Sequence, residues 1–261
     1  METTKNKLKA KERHDYILNE LNEKKEISVA ALSQELSTSV VTIRKDLEFL
    51  ERSGLLERIH GGAVLDYNAA QNQGFAEKLV RNKSKKKRLA AWVSTLISPG
   101  ESILLNSGTT PYYIAQELKH ISDLIIITNS FQILNEIGSC KNIITIFLGG
   151  QFDADTQLTY GDDVLTQLKK YSANKAFISV DGVSLEKGAT SYSPLACTTH
   201  RQMLACAKEK YLIADDSKLN KSALVHIADL NEFDALITTN TSGNENLLAE
   251  YKRQGIKVIT V

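Results

Sequence analysis

The sequence predicts an α/β chain in two parts: three short helices and a hairpin over residues 1–65, then, past a linker at 66–80, a mostly parallel α/β domain over 81–261. Three observations carry this. In the first third, apolar residues recur at spacings of three and four. A Gly61-Gly62 pair then joins two short β-type runs. Past Pro99-Gly100, short β-rich runs alternate with helix-length segments.

Composition sets the outer limits. At 261 residues, 42% hydrophobic and 24% charged, the chain can bury a sizeable core and fill two domains. No apolar run approaches the ~18 residues needed to span a bilayer, and the first residues lack the apolar stretch of a secretory signal. A cytoplasmic chain with no membrane partner is the expectation. Cys140, Cys197 and Cys206 are odd in number and lack metal-ligand spacing, which fits a reducing compartment and three buried thiols. Net charge is +1, divided as +5 over 1–88 and −4 over 89–261, yet residues 1–65 hold as many acids as bases. Any attraction for a polyanion must come from where cations are placed, not from bulk charge.

The first helix spans 11–24, with His14, Ile17, Leu18 and Leu21 on one face. Ser28 caps a second, whose apolar positions are Val29, Leu32 and Leu36. Thr38 and Ser39 leave room for only a tight turn before the third, at 39–54, where Val40, Ile43, Leu47 and Leu50 form the apolar stripe. Ser39 is its N-cap and Gly54 its stop. Its other side carries Thr42, Lys45, Glu48 and Arg52, flanked by Ser39 and Arg44. Short hydroxyls and cations near the start of a helix suit base edges and phosphates. The following LLERIHGGAVL reads as a wing with Arg58 and His60 near its tip. Helix, helix, helix, wing is a winged helix-turn-helix, and its candidate contacts to a double-stranded DNA operator are Ser39, Thr42, Arg44, Lys45, Arg58 and His60.

The string TIRKDLEFLERSGLLERIHGGAV resembles the N-terminal signature of the DeoR family of bacterial transcriptional regulators. That family usually carries Thr-Ile-Arg-Arg-Asp-Leu on its recognition helix and His-Gly-Gly-Ala at its wing; here stand Thr42-Ile43-Arg44-Lys45-Asp46-Leu47 and His60-Gly61-Gly62-Ala63. Lys45 replaces the second arginine, keeping the charge and losing the planar fork. Asp46 reads as a structural acid paired with a neighbouring cation.

DYNAAQNQG, at 66–74, is polar and without period. Five cations then fall within 83–88, either touching the DNA backbone or forming the solvated first turns of a helix that continues through Leu89, Trp92, Val93 and Leu96. The solvated helix is the preferred reading, since charge runs usually face water. Lys87 matches a lysine common at this point in the family.

Strands are predicted at 102–105, 124–127, 143–148, 175–180, 211–214, 235–238 and 257–261. Their carboxyl ends lead into Asn106-Ser107-Gly108-Thr109-Thr110, Thr128-Asn129-Ser130, Gly149-Gly150, Asp181-Gly182 and Asp215-Asp216-Ser217-Lys218. A parallel sheet gathers these tips on one edge, where open α/β sheets bind ligands. Thr110-Pro111 reads as an N-cap and first helical residue, so a helix starts behind Ser107-Gly108-Thr109 and offers free N–H groups and a positive dipole end to a phosphate. Ser107, Gly108, Thr109, Thr110, Asn129, Gly149, Gly150, Asp181 and Lys218 are the candidate pocket residues. Lys218 would be the counter-charge, with Asp181 and Asn129 on sugar hydroxyls. The implied ligand is a phosphorylated sugar or polyol.

This half resembles the sensor domain of the same family, similar in fold to ribose-phosphate isomerases, and the likeness runs from about Lys11 to Thr238. Two positions depart from the family: Asn106 stands where Asp is frequent, and Thr239 replaces the acid of a late Ile-Thr-Asp. What the resemblance implies is a non-enzymatic regulator, a repressor of carbohydrate genes; because one winged domain makes few base contacts, a dimer or tetramer on repeated half-sites is expected. The alternative is an isomerase-type enzyme using Asp181, Asp215 or Asp216 as a base, with the first domain as an accessory. His200 and His226 read as packed or surface residues. No metal or nucleotide fingerprint is present, so no cofactor is expected.

Overall fold

The computed structural model describes residues 10–24, 26–52, 56–59, 61–64, 75–154, 156–240 and 243–261. Gly54, His60 and residues 65–74 therefore lie outside the described residues. The chain divides into two compact units, 1–73 and 74–261.

The first unit runs α1 (Ala10–Lys24), β1 (Glu26–Ser28), α2 (Val29–Glu35), α3 (Val40–Arg52), β2 (Glu57–Ile59) and β3 (Gly62–Val64). Ser28 caps α2 by accepting from the Ala31 N–H at 3.1 Å. Between α2 and α3 the chain turns through Ser37 at φ +48°, and the Ser33 hydroxyl holds the turn by donating to the Thr38 carbonyl at 2.7 Å. Ile17, Leu21, Leu32, Ile43, Leu47, Leu50 and Leu56 make the core. Each such aliphatic side chain contributes about 1.5–3 kcal/mol on burial.

One member of the predicted stripe falls outside it. Val40 is 40% exposed while Ile43, Leu47 and Leu50 are buried. At about 100° per residue the buried arc runs from Leu47 round to Asp46, is centred between Ile43 and Leu50, and leaves Val40 at its rim.

The wing is three strands, ordered β1-β3-β2, antiparallel throughout. The strand β1 was not foreseen because three residues, with Ile27 buried between exposed Glu26 and Ser28, are too few to display a period. Gly61 turns the chain at φ +92°, and a Cβ on Gly62 would meet the Ile27 carbonyl oxygen at 2.0 Å, so only glycine lets β3 lie against β1.

The second unit opens with α4 (Phe75–Val80), a helix inside the stretch expected as linker, and α5 (Lys83–Ser94). Its centre is a seven-stranded parallel sheet of β4 (Ser102–Leu105), β5 (Leu124–Thr128), β6 (Ile143–Phe147), β9 (Ala173–Ser179), β12 (Ala207–Ala214), β14 (Ala235–Thr238) and β15 (Val258–Thr260), in the order β15-β14-β12-β9-β4-β5-β6. All seven coincide with predicted runs. Alternation along each strand sends side chains to opposite faces. Ile103, Leu105, Ile126, Phe177 and Ile213 meet α5, α6 (Thr109–Leu118) and α7 (Phe131–Ile137) on one side. Leu104, Ala176, Ile178, Leu212 and Leu236 meet α8 (Asp162–Leu168), α9 (Pro194–Ala205) and α10 (Glu245–Arg253) on the other.

Two small antiparallel sheets were not foreseen, being built of strands of three or four residues: β7 (Gln151–Asp153) with β8 (Leu158–Tyr160), and β10 (Gly182–Ser184), β11 (Gly188–Ser191) and β13 (Val225–Ala228).

The strand order places the binding edge. From β4 the chain winds outward through β5 and β6, then returns to lay β9 on the opposite flank of β4. Such a reversal opens a crevice at the carboxyl ends of the two central strands, which here are the tips at Asn106 and Val180.

Candidate functional site

The start of α3 is capped where the sequence predicts. Ser39 accepts the Thr42 N–H at 3.2 Å and its hydroxyl lies 2.9 Å from that of Thr42, so it caps the helix. Arg44 and Lys45 are exposed. Asp46 is a buried structural acid: Arg13 donates to it from Nε at 2.8 Å and from Nη2 at 3.0 Å, and His14 Nε2 lies 3.0 Å away, tying α1 to α3. Arg58 is exposed on β2 with its guanidinium 3.8 Å from Glu51. His60, the remaining residue of the set, is outside the described residues.

At the crevice in the second unit, Asn106 is fully buried. Its Oδ1 accepts the Ser179 N–H at 2.9 Å and its Nδ2 donates to the Ser179 carbonyl at 2.8 Å, bolting the tip of β4 to that of β9. These two bonds fix the amide's orientation. The other Nδ2 hydrogen therefore points at His200 Nε2, 3.0 Å away, which must accept. The imidazole is neutral and carries its proton on Nδ1, a buried atom with no partner among the described residues. Burial pushes His200 down to about 4 despite the nearby Asp181. An aspartate at position 106 could not donate to either acceptor, so Asn106 is matched to this histidine.

The helix behind β4 begins two residues before its predicted start. Gly108, not Thr110, is the cap, at φ +143° and packed so that a Cβ would meet the Ser179 Oγ at 2.8 Å. Pro111 becomes the third helical residue, where its missing N–H still breaks no intrahelical bond. Thr109 and Thr110 are buried, Ser107 half-buried, and no described group bonds to their hydroxyls. The helix start keeps its free donors.

Charge gathers beside it. Asp181 accepts from the Ser191 hydroxyl at 2.9 Å and the Tyr192 N–H at 3.2 Å, and Lys218 Nζ lies 3.7 Å away. Burial alone would raise this carboxyl, but Lys218, Lys78 and those two donors hold it below its ordinary value. Asp215 accepts from the Ser217 N–H at 2.9 Å and from Asn82 at 3.3 Å. Asp216 pairs with Lys85 at 2.7 Å and accepts from Thr239 at 2.7 Å. Thr239, in place of the family's acid, thus orients an acid in the turn that follows β12.

The basic run at 83–88 forms the first turns of α5, with Lys83, Lys87 and Arg88 exposed as the solvated reading expects, but two of its lysines turn inward. Lys87 is exposed, but Lys86 is 6% exposed and donates to the Lys78 carbonyl oxygen, and Lys85 turns in toward Asp216. Neither Lys78 nor Lys86 pairs with a described carboxylate. Burial pushes the Lys86 ammonium down to about 8 against the pull of Asp215, with Lys218, Arg81 and Lys78 adding to the fall. Burial also lowers Lys78, which faces Asp181, Lys218 and Arg81. Sequence reasoning missed both lysines. The signal for Lys86 was its place three residues before buried Leu89, on the inner face of α5.

The other candidates lie deeper or serve packing. Asn129 is fully buried, donates to the Thr159 carbonyl at 2.8 Å, and leaves Oδ1 without a partner among the described residues. Gly149 is held at both backbone atoms by Gln167, at 3.1 and 2.8 Å. A Cβ on Gly150 would meet the Tyr160 carbonyl oxygen at 2.6 Å, so this glycine admits β8 against the end of β6.

Comparison with known proteins agrees in both halves. Residues 13–69 match the DeoR-like helix-turn-helix domain and residues 81–240 the DeoR C-terminal sensor domain. The putative aga operon transcriptional repressor of Escherichia coli O157:H7 is 29% identical over 96% of this chain and 93% of its own length. The HTH-type transcriptional regulator IolR of Bacillus subtilis is 29% identical, over 91% and 93%. Among solved structures, ribose 5-phosphate isomerase A of Methanocaldococcus jannaschii is 19% identical, covers 53% of this chain and 55% of its own, and aligns with a TM-score of 0.40. With both domain models matched in order across most of its length, the chain belongs to the DeoR family of transcriptional regulators, a DNA-binding helix-turn-helix followed by a sensor domain.

Proposed function

We propose that the chain represses carbohydrate-metabolism genes and that a phosphorylated sugar or polyol, held at the crevice between β4 and β9, sets its affinity for the operator. The observation that carries this reading is the pair Lys78 and Lys86. A buried ammonium, Lys86, and a half-buried one, Lys78, without a described carboxylate of their own, make a site lacking its anion. A phosphate between them and the start of α6 would gain the free N–H groups of the first turn, the hydroxyls of Ser107, Thr109 and Thr110, and the nearby Lys218. Asp181 would then take sugar hydroxyls. Relatives named as transcriptional repressors support the direction of control.

The isomerase alternative gains nothing from this geometry. A general base works best with a pKa near the operating pH; Asp181 is held below the ordinary carboxylate range, and Asp216 is tied to Lys85. Oligomers on repeated half-sites remain part of the proposal, because a single winged domain makes few base contacts; sedimentation of the free protein and of its operator complex tests that part.

The test of the pocket is thermal melting of the whole chain against sugar phosphates and their unphosphorylated counterparts. Ligands that bind only the folded state raise the melting temperature by mass action. A rise with a phosphorylated compound, absent with its parent sugar and absent in Lys86→Met, is expected. Equal shifts with and without the phosphate would overturn the anion site.

A further inference from the structure

The outward face of α3 carries a residue type that its polar neighbours do not account for. Val41 is 62% exposed. By helical spacing it lies in one row with Lys45 and Glu48, at the centre of the face opposite Ile43 and Leu50. Exposed Phe49, on the same helix, has its own explanation: its ring stacks on His14 with centroids 4.8 Å apart. Val41 stands in the first turn beside the Ser39 cap, the part of a recognition helix that meets base edges. A β-branched apolar residue there has poor helix propensity and pays no packing return in the free protein. In the major groove the apolar group on a base edge is the C5-methyl of thymine.

We propose that Val41 is a specificity-determining residue that reads a thymine methyl group in each half-site, one turn before the phosphate- or base-contacting Lys45. Arg44 and Lys45 supply most of the affinity, and Val41 supplies a preference for thymine that no hydrogen bond from this helix provides. The rim residue Val40, 40% exposed, widens the same apolar surface.

The experiment uses the full chain and a duplex selected by it from a randomised pool. Each thymine is replaced in turn by deoxyuridine, which deletes the methyl and leaves every hydrogen-bonding group. One position per half-site should weaken binding about three- to fivefold, the scale of one buried methyl group. Val41→Ala should bind the unmodified duplex that much more weakly and show no further loss with deoxyuridine at that position. Val41→Ile should keep the loss. Salt dependence should match the parent and the melting temperature of Val41→Ala should not fall, since Val41 is neither buried nor charged and alanine is the better helix former. A parent protein indifferent to every replacement, or a Val41→Ala protein that still distinguishes thymine from deoxyuridine by the same factor, would overturn the proposal.

Discussion

Helices α3 and α5 are similar in length and both carry cations, and they use them in opposite ways. On α3, Arg44 and Lys45 face water, and Asp46, the one buried charge among its described side chains, is answered by Arg13. On α5, Lys85 and Lys86 turn inward toward Asp216 and Asp215 at the tip of β12, while Lys87 faces out. The reader shows its charge to a polyanion outside the protein; in the function proposed above, the sensor stores charge for a small anion within it. What separates them is the surface each helix packs on: an aliphatic core under α3, a carboxylate-bearing sheet edge under the start of α5.

The largest expected effect breaks the first half of this comparison. Asp46→Ala leaves Arg13 and His14 at a buried junction without their acid. Losing one partner of a buried pair typically costs 3–5 kcal/mol. The unit of residues 1–73 should lose about that much in urea titration, and operator binding should go with it, while the sensor still responds to its ligand. A loss below about 1 kcal/mol would mean that the pair is wetter than its geometry implies.

The same substitution logic runs the other way on α5. Lys86 is a cost to the ligand-free protein, so Lys86→Met should stabilise it by about 1–3 kcal/mol at neutral pH, the scale of a shift to about 8. The sign can be checked by titration. A lysine lowered from 10.5 binds fewer protons when folded, so parent stability recovers as pH rises from about 8 toward 10.5, and the mutant's advantage should shrink across that window. Chemical denaturation at pH 7 and pH 10 measures it. An advantage independent of pH would assign the gain to packing and leave the stored charge unsupported.

These two helices also show what sequence could reveal. The seven parallel strands, the helix-turn-helix and the tip motifs were all legible, because burial on one or both faces imposes periods that a run of four or more residues displays. Strands such as β1 and β10 were too short for any period. The pocket's floor was half legible: Ser107, Gly108 and Thr109 follow a strand directly, but Asn106 reads as a missing acid until its bonds to Ser179 and His200 are seen. Lys78 was illegible for another reason, and Lys86 showed only its place on the inner face of α5, not its role. Their meaning depends on acids more than 90 residues away, brought close by the sheet and not by local spacing.

A third prediction tests that floor. His200 is pushed down to about 4 from an ordinary 6.5, so the unfolded chain takes up a proton that the folded one refuses. Its contribution is complete above pH 6.5 and is lost as pH falls toward 4, about 3 kcal/mol at most. His200→Gln should flatten that part of the acid limb of a melting-temperature profile and leave neutral stability lower by the cost of a poorer fit. A mutant profile parallel to the parent's between pH 6.5 and 4 would mean that the imidazole titrates normally.

The smallest expected effect sharpens the other side of the comparison. Arg44→Ala and Lys45→Ala remove exposed cations, and surface changes of this kind move folding stability by no more than about 0.5 kcal/mol. Their effect should appear in DNA binding alone. Each cation on a phosphate releases a counterion, so its loss should reduce the slope of log affinity against log salt by about one while weakening all sequences alike. Lys87→Ala, on the exposed side of α5, is the control. If the lysine run of the sensor touched the DNA backbone, its slope would fall as well; an unchanged slope confines phosphate contact to the reader and leaves Lys85 and Lys86 to the pocket they face.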